Sequence, residues 1–270
     1  MIKNLVKNLV RNASINLSTH PNNPEIAIVA LNQPPVNSMG KSLLTELHDT
    51  IIKLENDNQH RAMILTSANP GIFCAGLDLL ELHDKTEDEL AEFWSIVQKT
   101  CWKLYGSKLV TIASINGASP AGGCLLALTC DYRVMADNDR FKIGLNESML
   151  GLTVPNWLST ICIDVVGQRL GERALVQGTL FSTKSALEIG MIDQIESMDE
   201  IQGAAVKAAE NYLKVPEIAR SSVKLNCRQK NMDWFESIQR EDSVNFGKMA
   251  GTAEAQKAIK NVVDSLKKRK

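Results

Sequence analysis

No run in this chain reaches the ~20 consecutive apolar residues of a membrane-spanning helix, which argues against a bilayer span. A global basic field for nucleic acid is also missing: 30 lysines and arginines stand against 31 aspartates and glutamates, a net charge of −1. The six cysteines (Cys74, Cys101, Cys124, Cys130, Cys162 and Cys227) form no CxxC pair and mostly sit in apolar runs. They are expected to be reduced core residues of a reducing compartment rather than disulfides. Four histidines, His20, His48, His60 and His83, are scattered without ligand spacing, so no metal site is assigned. One absence is local. Between Met1 and Pro24 there is no acidic residue, while Lys3, Lys7 and Arg11 recur every four positions opposite Ile2, Leu5, Val6, Leu9 and Val10. A basic, amphipathic, acid-free start has the pattern of a mitochondrial targeting segment, and residues 1–15 are read as such a segment or else as a disordered terminus. The terminal Lys268-Arg269-Lys270 does not match the Ser-Lys-Leu tail of the alternative destination, the peroxisome.

What is present is a chain of 270 residues with 44% hydrophobic content, long enough to bury most of its apolar surface in one domain or a domain with an appendage. Apolar runs predict strands at residues 25–32, 62–67, 109–116 and 131–136. Between them Leu43, Leu44, Leu47, Ile51 and Leu54 share one helical face, with Asn37-Ser38 placed to cap that helix. Leu90, Phe93, Trp94, Val97, Cys101 and Leu104 share another. Alternating strands and helices imply right-handed crossovers and a largely parallel sheet. Beyond residue 200 strands cease. Helices are predicted at 201–213, 216–228, 233–249 and 253–268, with Pro216 suited to a first turn. The aromatic and aliphatic residues Trp234, Phe235, Ile238 and Phe246 of this tail need cover, from the core or from another subunit. The chain is thus divided into a core of residues 16–200 and a helical region of residues 201–270.

Three segments carry candidate chemistry. In Gly71-Ile72-Phe73-Cys74-Ala75-Gly76-Leu77-Asp78-Leu79 a strand runs into small residues, which lets backbone approach a ligand and leaves amides free to face an oxyanion. In Ile115-Asn116-Gly117-Ala118-Ser119-Pro120-Ala121-Gly122-Gly123-Cys124-Leu125 a strand and a Pro/Gly turn lead into a helix at 122–129. The first amides of that helix lack internal partners and sit at its positive end. In Ile143-Gly144-Leu145-Asn146-Glu147-Ser148-Met149-Leu150-Gly151-Leu152 one carboxylate stands in an apolar, small-residue stretch. Burial there would raise its pKa toward the range of a general base, with Ser148, Met149, Leu150 and Leu152 helping to exclude water. Taken singly, each segment is equally a tight turn, a close helix packing or a structural carboxylate.

As an ordered set, together with Pro34-Pro35-Val36-Asn37-Ser38, Leu128-Thr129-Cys130-Asp131-Tyr132-Arg133 and Ile192-Asp193-Gln194, the segments resemble the crotonase (enoyl-CoA hydratase/isomerase) superfamily. The resemblance is nearest to its mitochondrial Δ3,Δ2-enoyl-CoA isomerase branch. It implies an α/β spiral of ββα units with a C-terminal helical trimerisation region, a fatty acyl-CoA substrate and a homotrimer. No separate cofactor is implied, coenzyme A being part of the substrate. It also implies residue roles: Glu147 as the catalytic acid/base; the backbone N–H groups of Ala75 and Gly122 as an oxyanion hole; and Ala75, Gly76, Leu77, Asp78, Leu79, Gly122 and Asn146 along the substrate.

One departure bears on the subclass. Superfamily hydratases carry a second glutamate on the helix after the oxyanion glycine, where this chain has Leu125. Water addition needs one group to activate water and another to supply a proton; a double-bond shift needs only one group, taking a proton from C2 and returning one to C4. Leu125 therefore favours transfer of the double bond from 3-enoyl-CoA to trans-2-enoyl-CoA, as in β-oxidation of unsaturated fatty acids. Asp78 is expected to be a loop or cap residue and Asp131 a structural residue at a strand start, so neither replaces the missing acid. The alternatives are another acyl-CoA enzyme of the same fold, a hydratase or thioesterase, or an RNA-binding relative, for which the only dense basic run is Lys267-Lys268-Arg269-Lys270.

Overall fold

A computed structural model of the chain describes residues 14–267. The basic run at residues 1–13 of the expected targeting segment, and Lys268-Arg269-Lys270, lie outside the described residues.

Two sheets form the core. The larger has the order β1 (Ile15–Thr19), β2 (Ile26–Leu31), β3 (Ala62–Ser67), β5 (Val110–Ile115), β7 (Tyr132–Ala136) and β10 (Gln194–Glu196). Only β1 is antiparallel to its neighbour. The smaller sheet has the order β4 (Gly71–Ile72), β6 (Gly117–Pro120), β8 (Lys142–Gly144) and β9 (Phe181–Ser182). Each long strand feeds a short one and then helix: β3–β4 is followed by α2 (Glu87–Tyr105), β5–β6 by α3 (Gly122–Thr129), and β7–β8 by α4 (Asn156–Val166). This is the expected ββα spiral. Ile28 faces Ile64, Ile64 faces Ile112, and β3 and β5 are buried along their whole lengths. Such continuous apolar runs belong to parallel strands covered on both faces.

The first helix, α1 (Lys41–Asn56), buries Leu43, Leu44, Leu47, Ile51 and Leu54 as its periodicity predicts. Its cap differs from expectation. Gly40 occupies the N-cap position without a side-chain bond, because Asn37 is buried and bonded elsewhere. After β8 come α4, α5 (Gln168–Gln177) and α6 (Thr183–Glu188), then α7 (Ile201–Leu213).

The two helices predicted at 216–228 and 233–249 are one, α8 (Glu217–Ala250), followed by α9 (Ala253–Lys267). No proline or glycine interrupts residues 229–232, and a local dip in propensity does not break a helix that tertiary packing holds. Here Arg228 donates to the Tyr105 carbonyl and Asn231 donates to Tyr105 Oη and Asp164. The tail's aromatic residues find their cover on their own chain: Phe246 stacks on Trp94 and Phe235 on Trp102, both from α2. Trp94 Nε1 and Gln98 Nε2 donate to Asp242 at 2.8 and 2.7 Å.

The tail is also pinned by charge. Asp131 accepts from Thr111 N at 2.9 Å, from Lys224 Nζ at 2.8 Å and from Arg228 at 3.0 Å, with all three side chains largely buried. It is the structural residue expected at the start of β7. Removing the anion strands two cations, which costs more than the intact pair contributes. Asp131→Asn should therefore lower the unfolding free energy by about 3–5 kcal/mol in urea titration, while the folded fraction keeps its activity.

Candidate active site

The loop after β4 and the N-terminus of α3 are brought together by the parallel pairing of β4 with β6. At position 123 only glycine fits the contact: a Cβ there would stand 2.2 Å from the Cys74 carbonyl oxygen, while one on Gly122 would stand 2.7 Å from the movable Met39 Sδ and 3.2 Å from Gly76 Cα. Ala121, the N-cap of α3, has φ 50° and ψ −126°, a conformation costing a non-glycine residue about 1–3 kcal/mol. It is held there by donating its N–H to the Gly144 carbonyl at 2.8 Å, which ties the second segment to the third. The Gly122 N–H that follows is the first of the helix and has no protein acceptor among the described residues.

The third segment turns through a short 3-10 helix, Glu147–Leu150, ended by Gly151 in the left-handed region. Ser148 Oγ donates to the Leu175 carbonyl at 2.6 Å and anchors this turn to the end of α5. Glu147 Oε2 is shielded from solvent and has no hydrogen-bond partner. Burial pushes the Glu147 carboxyl up from 4.5 to about 7, against a weaker opposing effect of its own backbone amide. Among the described residues no cation offsets this burial. The buried thiols of Cys124 and Cys162 lie within electrostatic reach of the carboxylate and are themselves pushed up by burial.

Glu147 opens on an enclosed apolar cavity whose other walls include Leu77, Gly122, Leu125, Leu152, Leu158 and Phe246. Among the described residues it is the sole ionisable member of that lining, with Thr153 a further polar one. Leu125 is buried and faces the cavity, so the wall is hydrocarbon at that position. Asp78 caps the 3-10 turn Leu79–Glu81 by accepting from Leu80 N and does not line the cavity, as expected of a cap residue.

The other predicted positions fall into place unevenly. Leu77, Gly122 and Glu147 wall the cavity. Ala75 and Gly76 lie immediately before Leu77, and the Ala75 N–H already donates to the Val36 carbonyl at 3.1 Å. Leu79 opens the 3-10 turn and packs on the core. Asn146 caps the Glu147 turn with a buried, unpartnered Oδ1. Met149, expected to shield the carboxylate, is instead 72% exposed, since a four-residue 3-10 turn can present only part of its circumference to the interior; of those four neighbours only Leu152 lines the cavity. Sequence reasoning missed the wall supplied by the tail, Phe246, Met249 and Ala250. Its one signal was Phe246, an aromatic residue in search of cover.

Comparison with known proteins agrees with this geometry. The family profile described as Enoyl-CoA hydratase/isomerase matches residues 22–269. The mouse protein "Enoyl-CoA delta isomerase 1, mitochondrial" is 42% identical over 245 residues, 91% of this chain and 85% of the relative. The human protein of that name is 40% identical over 91% of this chain and 81% of its own length. The crystal structure of human mitochondrial delta3-delta2-enoyl-CoA isomerase superposes with a TM-score of 0.92 at 38% identity, covering 95% of this chain and 99% of that one. The chain belongs to the enoyl-CoA hydratase/isomerase family.

Proposed function

We propose that this protein is a Δ3,Δ2-enoyl-CoA isomerase in which Glu147 is the single acid/base. The observation that carries the reading is the cavity lining: one unpaired, desolvated carboxylate faces the space, and Leu125 stands where a hydratase would need a second. The relatives named above, all delta isomerases, support the same reaction.

In the proposed cycle the ionised Glu147 takes a proton from C2 of a 3-enoyl thioester. Charge moves onto the thioester oxygen as a dienolate forms, and the protonated Glu147 then delivers its proton to C4. With a pKa of about 7, the group is matched to both halves of the cycle near neutral pH; general base catalysis of this kind contributes about 10²–10⁴-fold. The oxyanion is received by backbone amides. Gly122 supplies a free N–H at a helix start, and Ala75 would add its own as a three-centre donor shared with Val36. A preorganised donor of this kind contributes about 3–4 kcal/mol to the barrier. The segment Ala75-Gly76-Leu77-Asp78-Leu79 would run along the acyl-CoA, with Asn146 Oδ1 a further polar contact. Assembly as a homotrimer and residence in the mitochondrial matrix complete the proposal. The second is supported by the names of the relatives and by the basic, acid-free start of the sequence.

Two measurements check the assignment. Purified protein given a 3-enoyl-CoA should yield the 2-enoyl ester and little 3-hydroxyacyl product from a trans-2-enoyl-CoA, and Glu147→Gln should bind both esters but lose at least about 10²-fold in turnover. Near-native turnover by the variant, or predominant hydration by the wild type, contradicts the one-carboxylate reading. The second measurement uses stability. A carboxyl whose folded pKa is raised from 4.5 to about 7 favours the folded state fully below pH 4.5, and that advantage is lost as pH rises through 7. Between pH 4 and pH 8 the unfolding free energy of wild type should therefore fall by about 3 kcal/mol relative to Glu147→Gln, read from paired denaturant titrations.

A further inference from the structure

Asn37 lines no described cavity and is nevertheless among the most fully committed polar side chains of the described residues. It is 0% exposed. Its Nδ2 donates to Ser67 Oγ at 2.8 Å and to the Phe73 carbonyl at 2.9 Å. Its Oδ1 accepts from Gln33 N at 2.8 Å and Asn69 Nδ2 at 2.9 Å. Its own carbonyl accepts from the Cys74 thiol at 3.1 Å. All four places an asparagine amide offers are filled. The backbone sits at φ 52°, in the left-handed region that asparagine tolerates better than most residues. A helix cap would need none of this.

The bonds have a direction. Four of them join residues 33–37 to the stretch just ahead of the Ala75 amide: Ser67 at the end of β3, Asn69, the Phe73 carbonyl and the Cys74 thiol. The flanking backbone adds three more: Ala75 N to Val36 O at 3.1 Å, Met39 N to Gly76 O at 2.8 Å and Asp78 N to Met39 O at 3.3 Å. On its other side the same stretch meets α3, where the Cys74 carbonyl leaves no room for a Cβ on Gly123. Residues 73–77 are therefore held between the Asn37 strap and the N-terminus of α3, and the strap sets how far their amides stand from the Gly122 N–H.

We infer that Asn37 is a positioning residue for the oxyanion-binding amides, acting through the Phe73 carbonyl and the Ser67 hydroxyl on the Ala75-Gly76-Leu77 backbone. This rests on the reading of the cavity as the thioester site. An amide displaced by a fraction of an ångström from a developing charge costs rate rather than binding. Loss of the strap should therefore lower kcat and leave KM nearly unchanged.

The test is Asn37→Gly. Glycine adopts φ 52° without penalty, so the variant removes the side-chain bonds and spares the backbone conformation. Turnover of a 3-enoyl-CoA is measured alongside the vibrational frequency of the thioester carbonyl of bound trans-2-enoyl-CoA, which reports how strongly the amides polarise it. The expected result is a kcat lower by about 10²-fold, KM within about threefold, and a carbonyl frequency moved back toward that of the free ester. A folded variant with wild-type kcat and wild-type carbonyl frequency overturns the inference, whatever its melting temperature. If Asn37→Gly does not fold, Ser67→Ala removes one acceptor of Nδ2. About tenfold lower kcat with a smaller shift of the same sign supports the inference, and no change in either overturns it. Wild type showing no carbonyl polarisation on binding would instead remove the oxyanion reading beneath it, an outcome visible before any variant is made.

Discussion

A carboxyl group buried against hydrocarbon without a paired cation is unstable as an anion, and among the described residues no cation pairs with Glu147. Burial alone moves it to about 7. A lysine or arginine against it would return the pKa to the ordinary range and leave a carboxylate too weak to take a proton from carbon. Leu125, Leu152, Leu158 and Phe246 supply the apolar enclosure; the Ser148 bond to the end of α5 holds the turn in register. Several charged groups are committed away from the site. Asp131, Lys224 and Arg228 neutralise one another where β7 begins and α8 passes, and Asp242 is committed to Trp94 and Gln98.

The spiral explains how segments far apart in sequence reach one place. Long parallel strands deliver their C-terminal ends together, and the short second sheet then aligns the three glycine-containing segments side by side. Close approach at Gly122 and Gly123 and the forced backbone of Ala121 show that this alignment is tight. The helical tail closes what the spiral leaves open: α8 lies along α2 through stacked aromatic pairs and places Phe246, Met249 and Ala250 in the cavity wall. Tail and core are thus joined at the site itself.

Much of this was legible in the residues. Strand β3, helix α3 and helix α7 have the ends that their patterns predict, because each is bounded by a sharp change in polarity or by glycine. Glu147 stood out as a lone carboxylate in an apolar stretch. Other features left no local trace. β4 and β6 have two and four residues, too few for alternation to register. The 34-residue α8 reads as two helices in the sequence because a run of polar residues resembles a linker until the surface it packs on is known. Asn37 beside Ser38 has the composition of a helix cap; its bonds to Ser67, Asn69 and Phe73 are made at sequence separations of 30 to 36 residues and are invisible in a linear reading. The exposure of Met149 follows from the few faces that a single short turn can bury.

The central claim, that one unpaired and desolvated carboxyl carries the proton in both directions, is tested most directly by titrating Glu147 itself. Infrared difference spectra of wild type against Glu147→Gln isolate the carbonyl band of this one protonated carboxyl as pH is varied. The account predicts a band that disappears with a midpoint near 7 and that shifts, with loss of solvent exchange, when an acyl-CoA fills the cavity. A midpoint near 4.5, the ordinary value for a glutamate, would mean that the group is solvated or paired and would contradict the account.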